Sequence, residues 1–123
     1  MSSLLRFMKI IFFANTDWYL YKFRLGLASF LRDQGAEVIM MSPFGAYGPR
    51  MENNGFRWIP LPMDRRSLNP IREVRLLKFI YTVYKQERPD AVHNFTIKSV
   101  VYGALAAQAA GVQNRIHAVT GLG

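Results

Sequence analysis

The 123-residue sequence has no cysteine and only two histidines, His93 and His117. The first absence excludes a disulfide framework and any cysteine-ligated metal. The second leaves too few imidazoles for a histidine-based metal site. No stretch approaches the ~18 consecutive apolar residues of a membrane-spanning helix. Arg6 and Lys9 interrupt the N-terminus, and the apolar run Ile10 to Ala14 is too short for a secretory signal. The chain is therefore expected in the cytoplasm, either free or peripheral on the inner face of the cytoplasmic membrane. Acidic residues are also few: 16 Lys and Arg face 8 Asp and Glu, a net charge of +8. Such an excess favours an anionic partner, whether nucleic acid, anionic lipid headgroups or a phosphorylated small molecule; the alternative is a basic surface that serves only solubility.

Half the residues are hydrophobic and a fifth are charged, the balance of an ordered globular chain with one core. Short apolar runs bounded by turn residues predict strands over Met8–Ala14, Glu37–Ser42, Phe56–Leu61, Ala91–Phe95 and Arg115–Thr120. Ile10 to Phe13 and Val38 to Met41 are apolar at consecutive positions, as expected when helices cover both faces of a parallel sheet. Between the strands lie helical patterns. The first, Asp17 to Gln34, carries Leu20, Phe23, Leu27 and Leu31 at helical spacing, with Asp17 as its cap and Gly35 at its end. A short helix from Pro49 to Asn54 closes at Gly55. A third starts at Pro70 with Ile71, Val74, Leu77, Tyr81 and Tyr84 as its inner stripe. The fourth, Thr96 to Ala110, is thin and alanine-rich and is expected to be buried. This alternation predicts a Rossmann-like α/β fold: a doubly wound parallel sheet of about five strands in the order 3-2-1-4-5.

Such a sheet binds ligands beyond the carboxyl ends of its strands, at the switch point. The first of these turns, Asn15-Thr16-Asp17, lacks the glycines of a dinucleotide fingerprint, so NAD and FAD are not expected; no P-loop and no nucleophile elbow occurs either. No cofactor or metal is expected. A basic, polar rim remains. Arg65, in the loop before Pro70, suits either a phosphate clamp or a solvated turn. Asn69 suits a helix cap or a ligand contact. His93-Asn94-Phe95-Thr96-Ile97-Lys98 runs into a helix N-terminus, where Lys98 calls for a negative partner unless it reaches solvent. His93 suits a catalytic base, a substrate hydrogen-bonder or a satisfied buried histidine. The basic residues Arg72, Arg75, Lys78, Lys85 and Arg88 of the third helix fit a solvated face or an anionic membrane surface.

Arg65-x-Ser67-Leu68-Asn69-Pro70, His93-Asn94-x-x-x-Lys98 leading into Tyr102-Gly103-x-Leu105-Ala106-Ala107, and Ala118-Val119-Thr120-Gly121-Leu122-Gly123 occur in that order at successive strand ends. Together they resemble the N-terminal, acceptor-side domain of family-four GT-B glycosyltransferases, nearest the bacterial branch acting on undecaprenyl-diphosphate-linked sugars. The resemblance implies retaining transfer from a nucleotide-sugar donor to a lipid-diphosphate-linked saccharide, generally without metal. It places Arg65, Asn69, Asn94, Thr96, Lys98, Thr120, Gly121 and Gly123 toward the acceptor diphosphate or the interdomain cleft, with Asn15, Thr16 and Asp17 in the first turn. Many relatives carry a glycine pair in that turn, and this chain does not. The resemblance also implies that residues 1–123 are an incomplete domain, inactive alone, with the donor-binding domain and its Glu-x7-Glu motif elsewhere. Two other readings stand beside it. One is a non-catalytic acceptor-binding and membrane-recruiting subunit of a split enzyme. The other, less favoured because the basic residues are scattered, is a nucleic-acid-binding module.

Overall fold

The computed structural model of the protein describes residues 7–63, 69–112 and 114–117. Its strands are β1 (Lys9–Phe13), β2 (Glu37–Pro43), β3 (Arg57–Leu61), β4 (Ala91–Asn94) and β5 (Asn114–His117). Helix α1 (Asp17–Tyr19) runs through a π-helical segment (Leu20–Arg24) into α2 (Leu25–Asp33). The remaining helices are α3 (Tyr47–Asn53), α4 (Pro70–Glu87) and α5 (Ile97–Ala110). All strand pairs are parallel, and the order is β3-β2-β1-β4-β5. Ile11 lies beside Ile39 and Val92, and Phe13 beside Met41 and Asn94.

The consecutive apolar residues of β1 and β2 divide between two cores, because successive side chains point to opposite faces. Ile11, Phe13, Ile39 and Met41 pack with Leu76, Ile80, Val83 and Tyr84 of α4 and Ala106 and Ala107 of α5. Ile10, Phe12, Val38 and Met40 pack with Tyr19, Leu20, Ala28 and Met51 on the other side. Chain order thus puts the first helices on one face and the last two on the other. β3 lies at an edge of the sheet, where Pro60 removes no ladder donor that a neighbour needs. At the amino ends of the strands Arg57 donates to Glu87 at 2.9 Å through both terminal nitrogens, and to Glu37 at 3.1 Å. Lys9 reaches Glu87 at 3.2 Å. Arg57, with help from Lys9, holds the Glu87 carboxyl below its ordinary range against the opposing effect of burial.

Three details depart from the periodicity. Phe23 and Leu27, assigned by spacing to the inner stripe of the first helix, are exposed. The π-helical segment, with its i→i+5 bonding, advances the helix phase, so Leu20 and Ala28 are the buried pair instead. On α4 the inner stripe is Leu76, Ile80, Val83 and Tyr84; Ile71 and Val74 stand 65% exposed and Tyr81 also faces out. Two apolar stripes share this helix, and only packing against the sheet selects one. Helix α5 is not buried all round: Ser99, Gly103, Ala106 and Ala107 face inward, while Val101 and Leu105 are about half exposed. The short helix α3 begins at Tyr47, two residues before Pro49. Gly35, Gly55 and Gly111 follow their helices with positive φ, as their positions suggested.

Candidate functional site

The carboxyl ends of β1 and β4, with the turns that follow, meet at the switch point. Thr16, not Asp17, caps α1: its hydroxyl accepts from the Tyr19 N–H at 3.1 Å. Asp17 serves a different helix. Its Oδ2 accepts from the N–H groups of Tyr47 at 2.7 Å and Gly48 at 3.2 Å, at the start of α3, and Oδ1 accepts from Trp18 N at 2.9 Å. A negative charge there complements the positive end of α3. Gly45 has no side chain because a Cβ would fall on this carboxylate. Asp17 therefore ties the first turn to the turn after β2.

Asn15 joins the first turn to the one after β4. Its backbone N–H donates to Thr96 Oγ1 at 3.1 Å, and the Thr96 hydroxyl donates to Ser99 Oγ at 2.8 Å. Thr96 and Ser99 are fully buried, and Thr96 ties the two turns together. The Asn15 amide oxygen is buried and receives no hydrogen bond. Asn94 is fully buried beneath α5, where a Cβ on Gly103 would collide with its amide. His93 is half-buried, stacked at 4.0 Å on Phe95 and edge-on to Phe12 at 5.6 Å. Asn69 is the cap of α4, its Oδ1 accepting from Ile71 N at 3.0 Å and Arg72 N at 3.5 Å.

Lys98 has an internal counter-ion. Its Nζ lies 3.1 Å from Glu73 Oε1, and both side chains are more than four-fifths buried. The same carboxylate, by hydrogen bonding to Tyr102, raises the phenol above its ordinary range. The negative partner that Lys98 requires is thus supplied by α4, a contact that spacing along α5 does not reveal. Arg65, with the rest of Asp64–Leu68, and Thr120, Gly121 and Gly123 lie outside the described residues.

Beside the Lys98–Glu73 pair is a cavity of about 520 Å³. Pro43, Phe44, Leu61, Met63 and Leu76 give it an apolar floor, and Arg72, Glu73 and Arg75 line its rim. Arg72 and Arg75 are exposed, as the sequence suggested, and they also line the rim of this cleft. Neither is ion-paired among the described residues. An apolar pocket with two guanidinium groups at its rim can hold a ligand that is part hydrocarbon or sugar and part phosphate. No group of three or more His, Asp or Glu able to hold a metal occurs among the described residues.

Sequence reasoning did not single out Arg24. It ends the π-helical segment, donates from Nη2 to Tyr19 Oη at 2.8 Å, and lies over the ring of Phe95 at 4.8 Å. The only signal in the sequence is a cation set among Leu20, Tyr21, Phe23 and Leu25.

The profile of the glycosyl transferase 4-like family matches residues 9–123. The chain belongs to that family. A Campylobacter jejuni relative, N,N'-diacetylbacillosaminyl-diphospho-undecaprenol alpha-1,3-N-acetylgalactosaminyltransferase, is 29% identical over 116 residues. That alignment covers 94% of this chain and 31% of the relative, so the chain spans about a third of the relative's length. The crystal structure of Acinetobacter baumannii MurG superposes with a TM-score of 0.71 at 21% identity, covering 90% of this chain and 34% of that one. A Rickettsia africae glycosyltransferase gives the same TM-score at 18% identity, covering 92% and 29%. At these identities the two structures establish the fold, and the switch-point site of this glycosyl transferase 4-like chain is argued from its own residues.

Proposed function

We propose that this chain is the acceptor-side domain of a retaining glycosyltransferase, which moves a sugar from a nucleotide-sugar donor to a saccharide carried on a lipid diphosphate. The observation that carries the reading is the cavity at the strand ends, apolar in its floor and lined by Arg72 and Arg75, in a member of this family. The relative's name gives it an undecaprenyl-diphosphate-linked acceptor, the combination of diphosphate, sugar and hydrocarbon that such a cavity suits. In this reading transfer takes place against a second, donor-binding domain, and residues 1–123 alone bind acceptor without turning it over. His93, packed against Phe12 and Phe95, is the candidate to hydrogen-bond the acceptor sugar. Arg65, Thr120, Gly121 and Gly123, which lie outside the described residues, are proposed from the family resemblance as contacts to the acceptor diphosphate or the interdomain cleft.

The membrane surface belongs to the same proposal. Ile71, Val74 and Tyr81 face outward on α4 among Arg72, Arg75, Lys78 and Lys85, an amphipathic face suited to anionic headgroups. No helix among the described residues is long and apolar enough to cross a membrane. The test is calorimetric titration with a short-chain prenyl-diphosphate disaccharide. Arg72→Ala combined with Arg75→Ala should weaken binding at least ~10-fold, the scale of one lost charge-assisted bond. Equal affinity in that variant would remove the cavity from the reading. Co-sedimentation with phosphatidylglycerol vesicles checks the membrane part, and should fall when Ile71 and Val74 become Ser.

A further inference from the structure

Arg24 is the described cation whose surroundings are least explained by folding alone. Its guanidinium makes one neutral hydrogen bond, to Tyr19 Oη, and lies over two rings, Tyr19 at 5.4 Å and Phe95 at 4.8 Å. Among the described residues no carboxylate pairs with it, and its Nε is buried with no acceptor. An unsatisfied N–H on a charged group is costly, and proteins ordinarily avoid it. Helix geometry makes the arrangement more pointed. The π-helical segment Leu20–Arg24 interrupts an otherwise α-helical run, and single π turns of this kind concentrate at functional sites. Here it turns Arg24 toward Phe95, the residue that leaves β4 for the switch-point turn. His93 stacks on that same ring at 4.0 Å. The adjacent Thr96 is bound by Asn15, whose buried amide oxygen has no donor.

We infer that Arg24 is an anion-anchoring residue of the switch-point site, reserved for the diphosphate of a substrate. An aromatic seat holds a guanidinium in place without neutralising it, because ring faces attract the cation while supplying no counter-charge. A small side-chain rotation presents the unpaired N–H edge to phosphoryl oxygens, the geometry in which arginine binds them by paired hydrogen bonds. The inference rests on the proposed diphosphate-bearing substrates and adds a residue on the opposite side of the switch point from the Arg72–Arg75 cavity.

The experiment is a titration of the ¹⁵N-labelled chain with inorganic pyrophosphate, reading the arginine Nε–Hε resonances. The Arg24 resonance is assigned by its loss in Arg24→Lys. It should move on titration, whereas Arg57, already paired with Glu37 and Glu87, should not. Arg24→Gln should lower pyrophosphate affinity about tenfold or more, and Arg24→Lys should lie between the two. UDP and farnesyl diphosphate then compete as probes for the donor and acceptor diphosphates, and whichever displaces pyrophosphate at lower concentration identifies the source. Pyrophosphate that binds without moving the Arg24 resonance, or binds Arg24→Gln as well as wild type, overturns the inference and leaves the transferase reading intact. A wild-type chain that binds no diphosphate probe overturns both.

Discussion

Replacing Asp17 by Ala tests the claim that this side chain organises the α3 turn. The carboxylate accepts from Tyr47 N, Gly48 N and Trp18 N. Gly48 N has a second acceptor in the Gly45 carbonyl at 3.4 Å, and Trp18 is exposed enough for water to substitute. The Tyr47 N–H is the group left stranded, which costs about 1–3 kcal/mol. Loss of a negative charge at the start of α3 adds roughly 0.3–1 kcal/mol. The sum is about 1–4 kcal/mol, or a midpoint lowered by ~5–20 °C for a domain of this size. Asp17→Asn keeps an acceptor and loses the charge, so it should cost about 1 kcal/mol. Urea unfolding followed by tryptophan emission is the assay, since Trp18 adjoins the carboxylate and Trp58 packs over Gly48. A second variant closes the argument. Gly45→Ala pushes a Cβ into the carboxylate, so its cost should shrink sharply in the Asp17→Ala background. Loss of less than ~0.5 kcal/mol in Asp17→Ala, or strict additivity with Gly45→Ala, would refute the role.

Two glycine replacements in helices should have opposite signs. Gly26→Ala meets nothing within 4 Å and should stabilise by about 0.5–1 kcal/mol; Gly103→Ala strikes the Asn94 amide and should cost about 1–3 kcal/mol despite the gain in helix propensity, both read from urea midpoints. Lys98→Met should destabilise by roughly 1–2 kcal/mol because the largely buried Glu73 carboxylate loses its counter-ion, and adding Glu73→Gln should recover most of the loss; a double-mutant cycle with no coupling would contradict the pairing. Glu87 is held below its ordinary value of 4.5 by Arg57, so the unfolded chain takes up the proton first, and the stability it contributes is lost as pH falls below about 4.5 toward the folded value. Glu87→Gln should flatten that acid limb in a plot of midpoint against pH, and an unchanged limb would assign it elsewhere.

The fold was legible because its signals are local. Consecutive apolar residues in β1 and β2 require two covered faces, and glycine or proline marks nearly every helix end. From these the parallel order around β1 follows with few alternatives. The Asn69 cap was legible for the same reason, since it lies within three residues of the groups it serves. The helix faces were not. Helix α4 offers two apolar stripes, and the π-helical segment shifts the phase of the first helix, so periodicity alone assigned Phe23, Leu27, Ile71 and Val74 to the wrong side.

By itself the sequence determined the alternation of strand and helix, the excess of positive charge, and the motifs that mark the family. Tertiary structure alone decided which polar residues remain available to a ligand. Lys98 met Glu73 from a helix 25 positions away, Asp17 met α3 across 30 positions, and Thr96 met Asn15 across 81. Each pairing satisfies a polar group that the local sequence leaves open, and the partner comes into reach only when the strands lie side by side. Hydrogen-bond and charge satisfaction is therefore settled by chain topology. Among the described residues it leaves Arg72, Arg75 and the Nε–H edge of Arg24 without a carboxylate partner.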